Sequence, residues 1–303
     1  MPRIRRYFGH FSSTVRCLEL REPSGSRRQI IYFIGLFQHL QDLKLICDRV
    51  NLQEEPADDL TLVPRFVPPL RGWLRLINFT RVGLLKDMIE LFDGIRFRFV
   101  NLFNVDGKRL LLDACAKTLE VVVLSPTDLW GEQFPLNGVQ VLANVLVAVS
   151  SLQDFDLSRN KSLRTVEFPA SAIDRVLDDS PREVTLNFFK RVLSSITSPA
   201  FFRVIILYWD SDFPGVKSRW PYLCQMSEVE KAGQAARHHR RFELLREVNK
   251  VRDFQLVLSA TVSGCAGEHR MRVLEEAVAE EKAKNGFDQF FPEPPVWYNP
   301  QRS

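Results

Sequence analysis

A spaced pattern of apolar residues recurs along the chain and restricts the folds open to it. The pattern is L-x-x-L-x-L, with other aliphatic or aromatic residues replacing leucine, and each copy has the alternation of a short strand with one buried face. Its last apolar position moves from Leu20 to Leu45, a step of about 25 residues, which is typical of a repeat architecture. The closest copies are Val15/Leu18/Leu20, Leu40/Leu43/Leu45, Leu119/Val122/Leu124, Leu152/Phe155/Leu157 and Leu163/Val166/Phe168.

Looser copies and helix-length amphipathic segments fill the intervals between these strands. The looser copies are Leu70/Leu74/Leu76, Ile95/Phe97/Phe99, Phe202/Ile205/Leu207 and Val251/Phe254/Leu256. Phenylalanines within the copies, such as Phe99, Phe155 and Phe202, are expected in the core. The helical segments are 27–39, 82–92, 107–117, 136–149 and 184–196. One strand-helix unit cannot bury its own apolar face, whereas stacked units share a continuous core.

This alternation predicts an α/β fold, an irregular leucine-rich-repeat-like solenoid. Parallel strands would line its concave face and helices its convex face, with a less regular helical C-terminal cap. We expect residues 1–210 to form the solenoid. Residues 211–303 would add irregular repeats, helices at 228–249 and 268–284 and a capping tail, continuous with the solenoid. The acidic, proline-bearing segment 51–69 is interpreted as a surface loop.

Asn160 has two interpretations. Leu157 and Asn160 match the place where leucine-rich repeats carry an asparagine that hydrogen-bonds to neighbouring turns in a buried ladder. Alternatively, Asn160 forms an Asx turn in an ordinary loop. The sequence leaves both open.

The chain shows no signal for catalysis, a cofactor or a metal. It contains no G-x-S-x-G, G-x-x-x-x-G-K-[ST] or G-x-G-x-x-G motif, no CxxC pair and no H-x-x-x-H pair. A non-enzymatic protein without cofactors is therefore expected. The apolar stretches are shorter than the ~20 residues of a membrane span and no secretory signal is visible, so we expect no membrane partner and a cytoplasmic or nuclear location.

Charge indicates a protein partner more than a nucleic acid. The net charge of +4 over 303 residues is mild for a nucleic-acid binder. The strongly basic run 237–241 (Arg-His-His-Arg-Arg) supports an alternative, an RNA- or phosphate-binding helix, but acidic residues on the same helix favour a solvated surface.

Protein binding would use the solvent-facing strand positions and tryptophans near strand ends or in loops. The expected charged ladder is Arg16, Glu19, Lys44, Arg75, Arg98, Glu120, Asp156, Arg164, Glu167 and Arg203, and the tryptophans considered are Trp73, Trp130, Trp209 and Trp220. The predicted partner-binding residues are Arg16, Lys44, Arg75, Arg98, Glu120, Arg164, Trp130 and Trp209.

Segments 13–20, 34–45, 111–120 and 155–164 resemble the repeat region of fungal, basidiomycete-type F-box/leucine-rich-repeat proteins, over about residues 12–260. The resemblance implies a non-catalytic scaffold similar to the substrate-recognition repeats of an SCF-type ubiquitin ligase, in which an F-box docks on the adaptor. An F-box would precede Val15 and is not recognisable there, so an adaptor is expected as a partner only if an F-box is supplied elsewhere.

Overall fold

A computed structural model describes residues 8–23, 26–47, 70–79, 81–92, 94–124, 155–170, 173, 182–208, 228–250, 254–261, 264–285 and 296–298. The chain divides into two compact units. The first comprises Met1–Leu124, Gly131–Arg164 and Ser195–Phe201, and the second comprises Ser125–Trp130, Thr165–Ser194 and Phe202–Ser303. The predicted helix 136–149 and the loop 51–69 lie outside the described residues.

The first unit alternates strands and helices. Its elements are β1 (Cys17–Arg21), α1 (Arg27–Gly35), β2 (Asp42–Ile46), β3 (Leu70–Phe79), α2 (Val82–Leu91), β4 (Ile95–Val105), α3 (Lys108–Ala114) and β5 (Val121–Leu124). Each strand pairs in parallel with the next one in the chain. The α/β class and the parallel strands are therefore confirmed.

The apolar repeat positions meet in two rows across these strands. Leu20 pairs in register with Leu45, which pairs with Leu76, and the row continues through Leu102 to Leu124. A second row runs through Leu18, Leu43, Leu74, Val100 and Val122. From β2 onward every member is buried, and burying each such side chain stabilises the fold by about 1.5–3 kcal/mol.

A β-bulge lies where β3 pairs with β4. Gly72 pairs with Phe97, but the next residue, Trp73, pairs with Phe99, so Arg98 is an extra residue on β4. Gly72 has a φ of +92°, and a Cβ added there would lie 2.2 Å from the carbonyl oxygen of Gln41. That carbonyl accepts a hydrogen bond from the N–H of Trp73 at 2.8 Å. A glycine is thus required for β3 to approach β2 closely.

The bulge overturns one sequence expectation. The sequence pattern places both Phe97 and Phe99 in the core. Phe97 is buried there, but Phe99 is half-buried on the opposite face of the sheet. The extra residue shifts the alternation of β4 by one position, so Val100 takes the core position instead.

The second unit repeats the parallel arrangement. Its strands are β6 (Thr165–Pro169), β7 (Arg203–Tyr208), β8 (Gln255–Thr261) and β9 (Val296–Tyr298), paired in chain order. The helices that follow β6 in sequence are α4 (Arg182–Ser195), α5 (Glu228–Asn249) and α6 (Gly264–Asn285). Phe168 of β6 packs edge-on against Phe189 of α4, with ring centroids 4.7 Å apart.

Two further strand expectations were wrong. The copy Leu152/Phe155/Leu157 is not a strand in its described part, because residues 155–162 form turns, whereas the next copy, Leu163/Val166/Phe168, coincides with β6. On β7 the buried residues are Val204 and Ile206, whereas Phe202 is 46% exposed. The expected spacing through Phe202 was one residue out of phase, which reverses the face of every side chain.

Asn160 is buried, with 1% of its surface exposed. Its Nδ2 donates a hydrogen bond of 2.9 Å to the carbonyl oxygen of Leu112 in α3, which lies 48 residues earlier in the chain. This contact to an earlier helix agrees with the first interpretation in that respect and not with an Asx turn. The Asx turn is made instead by Asp156, whose Oδ1 accepts the N–H of Ser158 at 2.9 Å.

Candidate binding face of the first unit

One face of the β1–β5 sheet carries side chains that alternate with the buried leucine rows, and we call it the outer face. Its members are Cys17, Glu19, Arg21, Asp42, Lys44, Arg71, Trp73, Arg75, Arg96, Phe99, Asn101 and Val121. It is mixed in character, with charged side chains around two aromatic rings. Such a composition is typical of a surface that binds another macromolecule.

The carboxylates at the first strands are paired with cations. Lys44 Nζ lies 3.1 Å from Glu19 Oε2, and Arg21 binds the other oxygen of the same carboxylate. Hydrogen bonds from Arg21 and then Lys44 lower the pKa of Glu19 below its usual value. Arg75 Nη2 donates to Asp42 Oδ2 at 2.8 Å across the β2–β3 pair.

A further ion pair lies at the edge where the strands begin. Arg98, the bulge residue, donates from Nε and Nη2 to the two carboxylate oxygens of Glu120 at 2.9 and 2.8 Å. This bidentate contact lowers the pKa of Glu120 and raises that of Arg98. The Arg164 side chain is exposed, and its charge also lowers the pKa of Glu120. Arg16, likewise exposed, donates to the carbonyl oxygen of His39 at 3.3 Å.

Trp73 and Phe99 form an aromatic pair at the centre of the outer face. Their rings stack with centroids 4.5 Å apart and planes 22° from parallel. The guanidinium of Arg75 lies over the Trp73 ring, 5.8 Å from its centroid. Trp73 remains 49% exposed, which is a large accessible area for a tryptophan in the middle of a sheet. An exposed, oriented aromatic of this kind is suited to anchor a partner.

Sequence reasoning missed Asp42, Arg71, Arg96 and Phe99 as members of this surface. Asp42 and Phe99 belong with the ladder only through register, because each stands beside Trp73 on a neighbouring strand. Arg71 and Arg96 lie between the first and second apolar positions of their predicted strands, and only the register of β3 against β4 makes them neighbours. A signal was present, since each follows an apolar residue at the start of a predicted strand.

The other predicted ladder residues lie elsewhere. Asp156 is exposed but belongs to a turn, so its place in a strand was wrong. Glu167 and Arg203 are half-buried on β6 and β7 of the second unit; Arg203 alternates with the buried Val204 and Ile206, whereas Glu167 is the one residue of β6 that is not fully buried. Trp130 and Trp209, predicted as partner anchors, lie outside the described residues, as does Trp220.

The basic run 237–241 lies within α5. His238 and Arg241 are buried, with 2% and 3% of their surface exposed, and Nη1 of Arg241 lies 3.0 Å from Nδ1 of His238. Desolvation, followed by the neighbouring arginines, lowers the pKa of His238 well below its usual value. His239 faces α6, with Nε2 3.3 Å from Glu280 Oε2. Arg240 is exposed and Arg237 is half-buried, so the run does not present a continuous basic surface.

The described side chains include no group of three or more His, Cys, Asp or Glu residues arranged to hold a metal ion. None of the helices in the described ranges combines the length and apolar composition that crossing a bilayer requires. No family model, curated protein or solved structure matches the chain.

Proposed function

We propose that this chain is a non-catalytic protein-binding scaffold of the leucine-rich-repeat kind, and that its first unit binds a partner protein through the outer face. The observation that carries the proposal is the exposed Trp73, stacked on Phe99 and surrounded by oriented charged pairs. Repeated parallel strands, about one per 25 residues, and the buried Asn160 support the repeat assignment.

The charge pattern supports a protein partner. Glu19 and Asp42 on the face, and Glu120 at its edge, each pair with a basic side chain, so this surface carries both signs at fixed positions. Mixed, ordered charge gives specificity for a complementary protein surface. By analogy with the fungal proteins that the sequence resembles, the partner would be a protein destined for ubiquitin transfer.

The test is capture of partners from native cell extract by the tagged chain, read by mass spectrometry. Trp73→Ala removes the central ring, and Phe11→Ala removes an aromatic of similar exposure away from the sheet. We expect Trp73→Ala to reduce capture of a specific protein about tenfold or more, and Phe11→Ala to leave it unchanged. Equal capture by both variants would contradict the proposal. Co-purification of the ubiquitin-ligase adaptor would identify the ligase role.

A further inference from the structure

Two exposed arginines stand side by side at the start of β3 and β4. Leu70 pairs in register with Ile95, and both are buried, while the next pair in register is Arg71 and Arg96, both exposed. Neighbouring strands lie about 4.8 Å apart, so the two side chains leave the sheet as close neighbours. We call them the arginine pair.

The arginine pair has no counter-charge within the described part of the chain. Neither guanidinium forms an ion pair or hydrogen bond with a described residue. The carboxylates of the outer face and its edge are already engaged, since Glu19 binds Lys44 and Arg21, Asp42 binds Arg75 and, at the edge, Glu120 binds Arg98. The outer face therefore has an excess of positive charge.

Like charges directly opposite each other on neighbouring strands destabilise a sheet. The arginine pair thus costs stability in the free protein and brings no compensating contact among the residues described. An anionic group of a partner would remove that cost on binding. The arginine pair also lies close to the exposed aromatic rings. Trp73 follows Arg71 by two residues and Phe99 follows Arg96 by three, so each ring is about 7–10 Å along the strand from its arginine.

We propose that the outer face recognises an acidic peptide segment of its partner. Carboxylates of that segment would contact Arg71 and Arg96, and a large apolar side chain next to them would pack on Trp73. This inference rests on the proposed function and adds the chemistry of the partner.

A peptide fits this face better than a nucleic acid does. A nucleic-acid strand carries a charge every ~3.4 Å, so it would also place phosphates beside Glu19, Asp42 and Glu120. In addition, Phe99 covers one face of the Trp73 indole, which leaves less of the ring for stacking with a base. A peptide can confine its carboxylates to the arginine pair.

The experiment uses an array of 12-residue peptides that vary in the number of glutamates and in the position of one leucine or phenylalanine. The best peptide is then measured in solution by fluorescence anisotropy, beside its Glu-to-Gln analogue and a single-stranded RNA of equal charge. The test variant is Arg71→Gln/Arg96→Gln. The matched control is Lys86→Gln/Arg191→Gln, which removes two exposed charges from α2 and α4. Circular dichroism verifies that both variants are folded.

We expect the wild-type protein to select acidic peptides, and Arg71→Gln/Arg96→Gln to weaken the best one about fivefold or more, with no change in the control. Arg71→Glu/Arg96→Glu should instead prefer an analogue of the best peptide in which lysines replace the glutamates. The inference is overturned if the array shows no preference for glutamate, if the arginine variant retains that preference, or if the RNA binds more tightly and depends on the same arginines. Partner capture that needs Trp73 but not the arginines would overturn this inference and leave the proposed function standing.

Discussion

Glu167 gives the sharpest test of the electrostatics, because its side chain lies on β6 and no described residue supplies a compensating charge. Its register neighbour on β7 is Ile205. Arg203, which pairs with Thr165, is the basic residue of β7. It donates to Gln255 Oε1 at 3.1 Å and lies over the Phe202 ring, so its guanidinium does not neutralise the Glu167 carboxylate. Burial alone raises the pKa of Glu167 from 4.5 to about 7.

The sign of the pH effect follows from this direction. The folded state holds the proton more tightly than the unfolded state, so the stabilising contribution is fully present below pH 4.5 and is lost as the pH rises through about 7. The interval from 4.5 to about 7 corresponds to ~3 kcal/mol at 1.36 kcal/mol per pH unit. This is an upper value, because the side chain is only partly shielded from water.

Glu167→Gln replaces the carboxylate with a neutral group of the same shape. We expect it to raise the free energy of unfolding by up to ~3 kcal/mol at pH 8 and to change it little at pH 4.5. The assay is urea denaturation of both proteins at the two pH values, followed by circular dichroism. An equal difference between the proteins at both pH values would refute the reasoning.

Glu120→Gln is the control with the opposite sign. Arg98 holds the pKa of Glu120 below 4.5, so this ion pair stabilises the protein above pH 4.5 and is lost as the pH falls through the lowered pKa. We therefore expect Glu120→Gln to lower stability at pH 8 and to approach the wild type in acid. Urea denaturation that shows the same direction of change for both variants at pH 8 would contradict the assignment.

Three further changes test the packing of the first unit, each measured by urea denaturation. Gly72→Ala should lower the free energy of unfolding by about 2–4 kcal/mol, from positive-φ strain plus a broken strand hydrogen bond. Gly94→Ala, at a φ of +83° with open space around it, should lower it by about 1–2 kcal/mol, and equal losses would argue against the close approach of Gly72 to Gln41. Asn160→Ala should cost about 1–3 kcal/mol because the Leu112 carbonyl loses its donor, and an unchanged midpoint would contradict that role. Arg71→Gln should raise stability by about 0.2–1 kcal/mol through relief of like-charge repulsion, and a loss would show that the arginine is structurally required.

The repeat period could be read from the sequence because it depends on hydrophobic burial alone. Leucines at Leu20 and Leu45 predict two strands that share a core, and the structure pairs those two residues directly. The helices beginning at Arg27 and Val82 were also placed correctly, since an apolar stripe at helical spacing needs the same shared core.

The errors come from features that the apolar pattern does not encode. Phe99 is apolar and correctly spaced, yet the bulge at Gly72/Trp73 moves it to the outer face. The relevant signal was Gly72, since a glycine inside a strand often marks a bulge or a close backbone approach. Phe202 was misplaced by one residue for a related reason, because a strand of consecutive apolar residues from Val204 to Leu207 does not reveal which alternate set faces the core.

The arginine pair shows why the candidate site needed the structure. The net charge of the chain is only +4, yet positive charge is in excess around the arginine pair. The carboxylates of the outer face and its edge, Glu19, Asp42 and Glu120, are already paired with other basic side chains. Arg71 and Arg96 are 25 positions apart in the chain, and their proximity follows only from the register of β3 against β4. That same register places Trp73 beside Phe99. Two like charges opposite each other weaken the sheet that holds them, and this unfavourable arrangement beside an exposed aromatic pair is the reason for proposing that an acidic partner binds there.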